Sequence, residues 1–204
     1  TNATVGHGLG VAPKVVIVKD LSSSGAWRMY TEMTGNESQL ALDQTSAADS
    51  GNTSMWNSTS PTTTTFSIGT HGNVNTSGNS YIAYCFAEKK GFSKFGSYSA
   101  NNNADGPMIY TGFSPAFVMI KSSNDTRDWC ILDNKRPAYN VVNKDLRANE
   151  TDAESTQDRL DFLSNGFKLR NASGAYNSTG NTYIFMAFAE EPLVSSNGIP
   201  ATAR

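Results

Sequence analysis

Three stretches of this chain recur at one spacing. Gly10-Val11-Ala12-Pro13-Lys14-Val15-Val16-Ile17-Val18-Lys19 is echoed by Gly112-Phe113-Ser114-Pro115-Ala116-Phe117-Val118-Met119-Ile120-Lys121. Trp27 is echoed by Trp129, and Tyr81-Ile82-Ala83-Tyr84-Cys85-Phe86-Ala87-Glu88 by Tyr183-Ile184-Phe185-Met186-Ala187-Phe188-Ala189-Glu190. The separation is about 102 residues each time (112 against 10, 129 against 27, 183 against 81), which marks a tandem duplication. A duplicated chain builds the same local structure twice. What recurs here is apolar, strand-like sequence and turn chemistry, and almost none of it is catalytic. The chain therefore reads as a structural or binding module.

The recurring pieces are strand-forming. Lys14 to Lys19 and Phe117 to Lys121 are continuous apolar runs of strand length, each behind a proline that suits a strand's entry because it has no N–H for a ladder. Tyr81 to Ala87 and Tyr183 to Ala189 are apolar on both alternate faces, as expected of central strands covered on both sides. Trp27 to Tyr30 with Trp129 to Leu132, and Phe66 to Ile68 with Phe167 to Leu169, supply two further strand pairs. The turn Asn75-Thr76-Ser77-Gly78-Asn79-Ser80 matches Asn177-Ser178-Thr179-Gly180-Asn181-Thr182, and Gly and Asn tolerate the positive φ of a tight turn. The spacing fits a hairpin joining each central strand to its Phe66 or Phe167 strand. Between the copies, Lys94 to Tyr98 and Met108 to Tyr110 read as two more short strands, with counterparts expected before Thr1. That makes copy one incomplete and the chain an expected excerpt or processed product. The best helical segment is Glu150 to Leu163.

The expected architecture is an all-β β-sandwich, jelly-roll or lectin-like, built from two tandem pseudo-symmetric repeats. Residues 1–192 form one domain, repeat one spanning 1–90 and repeat two 91–192, and 193–204 form an extended C-terminal tail. Ser, Thr and Asn make up roughly a third of the chain, a composition of turns and exposed strand faces. Formal net charge is -2 and 17% of residues are charged, so no basic stripe points to nucleic acid. No apolar run approaches the ~20 residues needed to span a bilayer, so membrane insertion is not expected. Cys85 and Cys130 are not repeat-equivalent and read as buried free thiols, with a disulfide left open.

Sites of chemistry are sparse. His7 and His71 are the only histidines, and no zinc spacing, P-loop or nucleophile elbow occurs. Gly6-His7-Gly8-Leu9-Gly10 resembles a glycine-rich nucleotide loop but runs into Pro13 and a strand rather than a helix. Neither cofactor nor metal is expected. Glu88 and Glu190 recur at central-strand ends and are the one carboxylate pair to weigh for glycoside hydrolysis, against a solvated strand-end role. The candidate ligand-binding residues are aromatics in polar loops with their neighbouring amides: Trp56 with Asn57, and Tyr139 with Asn140. Such a ring can stack on a sugar face or plug the end of a sandwich. Specificity is expected where the copies differ, from Gly35 to Thr65 and from Pro137 to Asp161.

Several motifs carry a family resemblance. Gly8-Leu9-Gly10-Val11-Ala12-Pro13-Lys14, Ser93-Lys94-Phe95-Gly96-Ser97-Tyr98, Ala104-Asp105-Gly106-Pro107, Tyr110-Thr111-Gly112-Phe113 and the closing Gly198-Ile199-Pro200-Ala201-Thr202-Ala203-Arg204 resemble an uncharacterised domain of tailed-phage structural proteins. Marine podoviruses carry it, often towards the C-terminus of tail-fibre or similar virion proteins. The resemblance implies location in the virion, assembly with other virion subunits, a homo-oligomer (a trimer by analogy with phage fibres) and contact with a host surface glycan or protein. It implies no catalytic residue. A purely structural role in a capsid fibre, neck fibre or connector, or a glycan-degrading tail enzyme, are the alternatives.

Overall fold

Pro13 and Pro115 stand where the duplicated Val- and Ile-rich runs begin, and both runs are strands paired along both edges. The computed structural model describes residues 1–137 and 139–190, together with Leu193–Val194 and Pro200–Ala201. The chain divides into two compact units, Thr1–Ala87 and Glu88–Arg204. Both are built almost wholly from antiparallel strands.

The first unit contains β1 (Ala3–Gly6), β2 (Val15–Asp20), β3 (Arg28–Thr31), β4 (Ser38–Ala41), β5 (Asp49–Ser50), α1 (Thr53–Trp56), β6 (Thr65–Ile68), α2 (Gly72–Asn75) and β7 (Tyr81–Phe86). Five strands form one sheet in the order β5-β4-β3-β2-β7, and β1 pairs with β6. Val16, Val18 and Tyr30 of the sheet pack against Met55 and Trp56 of α1, Phe66 of β6 and Val74 of α2.

The second unit contains β8 (Ser93–Ser99), β9 (Met108–Tyr110), β10 (Pro115–Ser122), β11 (Cys130–Asp133), β12 (Val142–Arg147), β13 (Ser155–Leu163), β14 (Gly166–Leu169) and β15 (Thr182–Ala189). These eight make one nearly closed, barrel-like sheet in the order β8-β15-β10-β11-β12-β13-β14-β9. Every strand faces a single apolar core, among them Tyr98, Ile109, Val118, Leu132, Val142, Leu160, Phe167 and Phe185. The expected tail lies largely outside the described residues. Within it, β16 (Leu193–Val194) pairs with β17 (Pro200–Ala201).

The two units share pairings at a constant offset. Val16 lies opposite Tyr30 and Cys85, and Val118 lies opposite Leu132 and Ala187 (118 − 16, 132 − 30 and 187 − 85 are each 102). Hydrogen bonds follow suit. The Tyr81 hydroxyl donates to Gly72 O at 2.8 Å and accepts from Thr76 N–H, while the Tyr183 hydroxyl donates to Gly174 O at 2.6 Å and accepts from Ser178 N–H. The Asn75 amide donates to Gly69 O at 2.7 Å and Thr1 O at 2.8 Å. The fully buried Asn177 amide donates to Asn171 O at 3.0 Å and Asn103 O at 2.9 Å. Buried amides that satisfy loop carbonyls keep those carbonyls from being stranded away from water.

The units differ where one strand is whole or broken. In the first, β5 ends at Gly51, whose φ of 76° turns the chain out of the strand and into α1. In the second, the nine residues of β13 run on from β12 to β14 and join what the first unit leaves as separate sheets.

Five expectations are corrected. The helix expected from Glu150 to Leu163 is mostly β13, because Leu160 packs into the core while ladders form along both edges. The expected hairpins of Phe66 and Phe167 with the central strands do not form: β6 pairs with β1, and β14 with β13 and β9. The β9 strand has a counterpart after all, since β1 pairs with β6 much as β9 pairs with β14. And among the described residues β7 lies at the edge of its sheet, whereas its counterpart β15 is central. The regions 35–65 and 137–161, expected as loops, hold β4, β5, α1, β12 and most of β13.

A buried polar cluster crosses the second core. Arg159 Nε donates to Asp145 Oδ1 at 2.9 Å, the Tyr176 hydroxyl donates to Asp145 Oδ2 at 2.8 Å, and the guanidinium lies 5.1 Å from the centre of the Tyr176 ring. Arg159 also donates to Gln157 and Ser155. Removing one member leaves a buried charge uncompensated, so Arg159→Met is expected to cost about 3–5 kcal/mol of stability, read from the denaturant midpoint.

In the first unit the His71 imidazole caps α2, Nδ1 accepting from Asn73 N–H at 3.1 Å. Burial, with help from the Arg28 charge, lowers its pKa below 6.5, while Asp49 opposes the shift. The folded state thus prefers neutral His71. Its contribution is fully present above pH 6.5 and is lost as pH falls through the depressed folded value. At the matching place in the second unit, Ser173 Oγ accepts from Ala175 N–H. His71→Ser is therefore expected to keep the cap and to flatten the dependence of Tm on pH between 7 and about 5. A slope that survives the substitution would assign it to another group.

Candidate functional site

The second unit carries an open cleft of about 440 Å³ lined by Glu88, Lys90, Gly91, Ser93, Lys94, Tyr110, Thr111 and Gly112. Two turns build it. Before β8, Lys89 bridges to Ser93, and both Phe92 N–H and Ser93 N–H donate to Lys89 O at 2.9 Å. Gly91, with a φ of 75°, allows that tight return. After β9, Thr111 N–H and Gly112 N–H both donate to Asn165 O, and the Thr111 hydroxyl donates to Phe113 O at 2.6 Å. Both walls are therefore fixed by backbone hydrogen bonds.

Tyr110 dominates the cleft. It follows Ile109, which is buried, so strand alternation throws its ring outward, and it is 67% exposed. Gly112 has a φ of 84°, and a Cβ there would stand 3.6 Å from the Tyr110 hydroxyl oxygen, so the glycine leaves that flank of the ring clear. Opposite, Glu88 is held by Lys94 at 3.0 Å and by Phe95 N–H at 3.0 Å. Lys90 is exposed and forms no ion pair among the described residues. An exposed ring beside a fixed carboxylate, an ammonium and an uncommitted cation can stack on one face of a saccharide and hydrogen-bond its hydroxyls.

The residues singled out from sequence lie elsewhere. Trp56 is buried at 2% exposure in α1, its Nε1–H donating to Ser38 O at 3.0 Å and its ring edge-on to Tyr30. A ring sealed in this way plugs the core and has no face left for a sugar. Asn57 stands in the left-handed conformation that ends α1, and its Oδ1 accepts from the Asn2 amide. Tyr139 is 85% exposed, next to Asn140, whose side chain donates to Phe162 O at 2.8 Å and accepts Phe162 N–H at 3.0 Å. Tyr139 therefore keeps a free ring, but its neighbouring amide is committed to the edge of β13. Trp56 and Asn57 belong to the first unit and Tyr139 and Asn140 to the second.

The carboxylates Glu88 and Glu190 each meet a lysine. Glu190 accepts from Lys135 and, at 3.1 Å, from the Asn134 amide. Cys85 and Cys130 are free thiols, and burial pushes Cys130 up to about 11. Lys121 is fully buried and burial lowers its pKa to about 8, but its ammonium donates to Ser122 O at 2.7 Å and Asp125 O at 3.3 Å, stapling a turn. Among the described residues no three His, Cys, Asp or Glu side chains gather around a metal-sized space.

Sequence reasoning passed over Tyr110 and Lys90. The signal that finds them is in the sequence offset: the residues 102 positions away are Gly8 and Pro192, as unlike Tyr110 and Lys90 as any pair at that spacing.

Fold and cleft together define an all-β protein of two antiparallel units, the second bearing an open polar cleft with an aromatic rim. The chain belongs to the family described as a domain of unknown function, DUF7483, whose model matches residues 1–192. No curated protein and no solved structure matches it.

If Trp56 serves the core alone, Trp56→Phe should cost about 1–3 kcal/mol by leaving Ser38 O unpaired. Denaturant unfolding measures that cost, and surface binding by the folded fraction should be unchanged.

Proposed function

We propose that this chain is a non-enzymatic module of a phage virion, a tail-fibre or related receptor-binding domain that contacts the host cell surface. The observation that carries this reading is the cleft at Tyr110: a two-thirds exposed aromatic ring, framed by Glu88, Lys90 and Lys94 on backbone-fixed turns. Saccharides are bound by this combination of ring stacking and charge-assisted hydrogen bonds. The resemblance of the Ser93–Tyr98 and Tyr110–Phe113 segments to tailed-phage structural proteins supports the same reading. Tyr139, in the same unit, is a second exposed ring available to a surface glycan.

The matched pairings and hydrogen bonds at an offset of 102 support a tandem pseudo-symmetric repeat of one ancestral unit. On this reading the module works among other virion subunits, as a trimer by analogy with phage fibres. A purely structural place in the particle is the second reading, favoured by the outer edge of β7, which no strand among the described residues covers. A glycan-degrading enzyme has less support, since Glu88 and Glu190 are each held by a lysine.

Binding of the purified chain to an array of bacterial surface glycans, and adsorption to susceptible cells, test the proposal. Tyr110→Ala should weaken binding about tenfold at unchanged Tm, the value of one lost ring stack. Reducing ends released from those glycans would move the chain to the enzymatic reading. Absence of binding, with electron microscopy placing the protein away from the tail tip, would move it to the structural one.

A further inference from the structure

The matching strands β15 and β7 have unequal company. In the second unit β15 is covered on its outer edge by β8 over seven residue pairs, from Thr182 opposite Ser99 to Phe188 opposite Ser93. In the first unit no strand among the described residues pairs with the outer edge of β7. Side chains record the difference. Phe185 and Met186 are 3% and 5% exposed, whereas their counterparts Ala83 and Tyr84 are exposed, Tyr84 at 43%.

Which backbone groups stand open follows from antiparallel alternation. Leu21 N–H donates to Ser80 O, so the even-numbered residues Ser80, Ile82 and Tyr84 bond towards β2. Ala100 N–H donates to Asn181 O, so in the second unit the odd-numbered residues of β15 bond towards β8. The matching groups of the first unit are the N–H and C=O of Tyr81, Ala83 and Cys85. They form an open ladder on a strand of sequence Tyr-Ile-Ala-Tyr-Cys-Phe, without charge, proline or bulge, the kind of edge that proteins otherwise cover.

We propose that the outer edge of β7 is the seat of an added antiparallel β-strand, donated by an extended polypeptide segment of β8-like chemistry. The second unit shows that seat filled. Tyr98 of β8 stacks on Tyr183 with ring centres 5.3 Å apart and planes 11° apart, so the donated strand carries an aromatic opposite Tyr81. Gly96 lies opposite Phe185, and a Cβ there would come within 2.9 Å of that ring. Ala83 replaces Phe185 in the first unit, so the donated strand has room for a β-branched residue where β8 must have glycine. This is strand addition, with main-chain bonds giving affinity and alternate side chains giving selectivity.

The test uses the full chain and two synthetic peptides spanning 92–100, one native and one carrying Gly96→Val. Amide hydrogen exchange by NMR reads Tyr81, Ala83 and Cys85. At about ten times Kd, their protection should rise about tenfold, as mass action requires, with the valine peptide the tighter binder. Ala83→Pro removes one outward donor and leaves the β2 ladder whole, so it should abolish the effect at little cost to Tm. If that variant fails to fold, the exchange data on the parent chain still decide. The proposal is overturned if the three outward amides are already as protected as those of Ile82 and Tyr84. It is overturned equally if neither peptide protects them, or if protection appears only with concentration-dependent dimerisation, which would make a second copy the occupant.

Discussion

Each unit is organised around a Val- and Ile-rich strand that is hydrogen-bonded along both edges. In the first it is β2, between β3 and β7; in the second it is β10, between β11 and β15. Where such a strand is paired on both edges its N–H and C=O groups are satisfied without water, so its side chains can be apolar on both faces. Val15, Val16, Ile17 and Val18 are all buried, as are Val118, Met119 and Ile120. Once that strand is laid down, its neighbours' registers follow, and the loops between them are positioned by where the ladders end.

Those loops are secured by amide clasps rather than by apolar contact. Asn75 and Asn177 turn their side chains inward to collect carbonyls from distant loops, and Tyr81 and Tyr183 cap the same short turns with their hydroxyls. This explains why an Asn- and Ser-rich sequence folds into a well-packed β protein. Many of its short polar side chains satisfy backbone groups that tight connections would otherwise strand.

Much of this scaffold was legible in the chain. A proline followed by a run of Val and Ile, and a Gly flanked by Asn before an apolar strand, state their local geometry in the residues themselves. What stayed hidden depends on partners distant in sequence. Glu150 to Leu163 has helix-forming composition, yet Leu160 and Phe162 are drawn into a ladder with Leu169 and Phe167. Trp56 sits among polar residues, but a single turn of helix folds it under the sheet. Tyr81 to Phe86 is as apolar as Tyr183 to Phe188, and composition alone does not reveal that Tyr183 to Phe188 gains β8 as a second neighbour. The cleft at Tyr110 is marked in the sequence only by a single residue, Gly8 standing at the matching place, whereas the longer divergent segments 35–65 and 137–161 are far more conspicuous.

The unbroken β13 has a consequence for how the molecule comes apart. Where β5 stops at Gly51, the first unit is left with a five-stranded sheet and a separate β1–β6 pair, joined through the core of Val16, Tyr30, Trp56 and Phe66 rather than through a ladder. In the second unit β13 ties β12 to β14, so no seam divides the sheet and opening any part strains its neighbours. The first unit is thus divided between two hydrogen-bonded sheets, while a single ladder runs through β8 to β15 of the second. The cleft is carried by the latter.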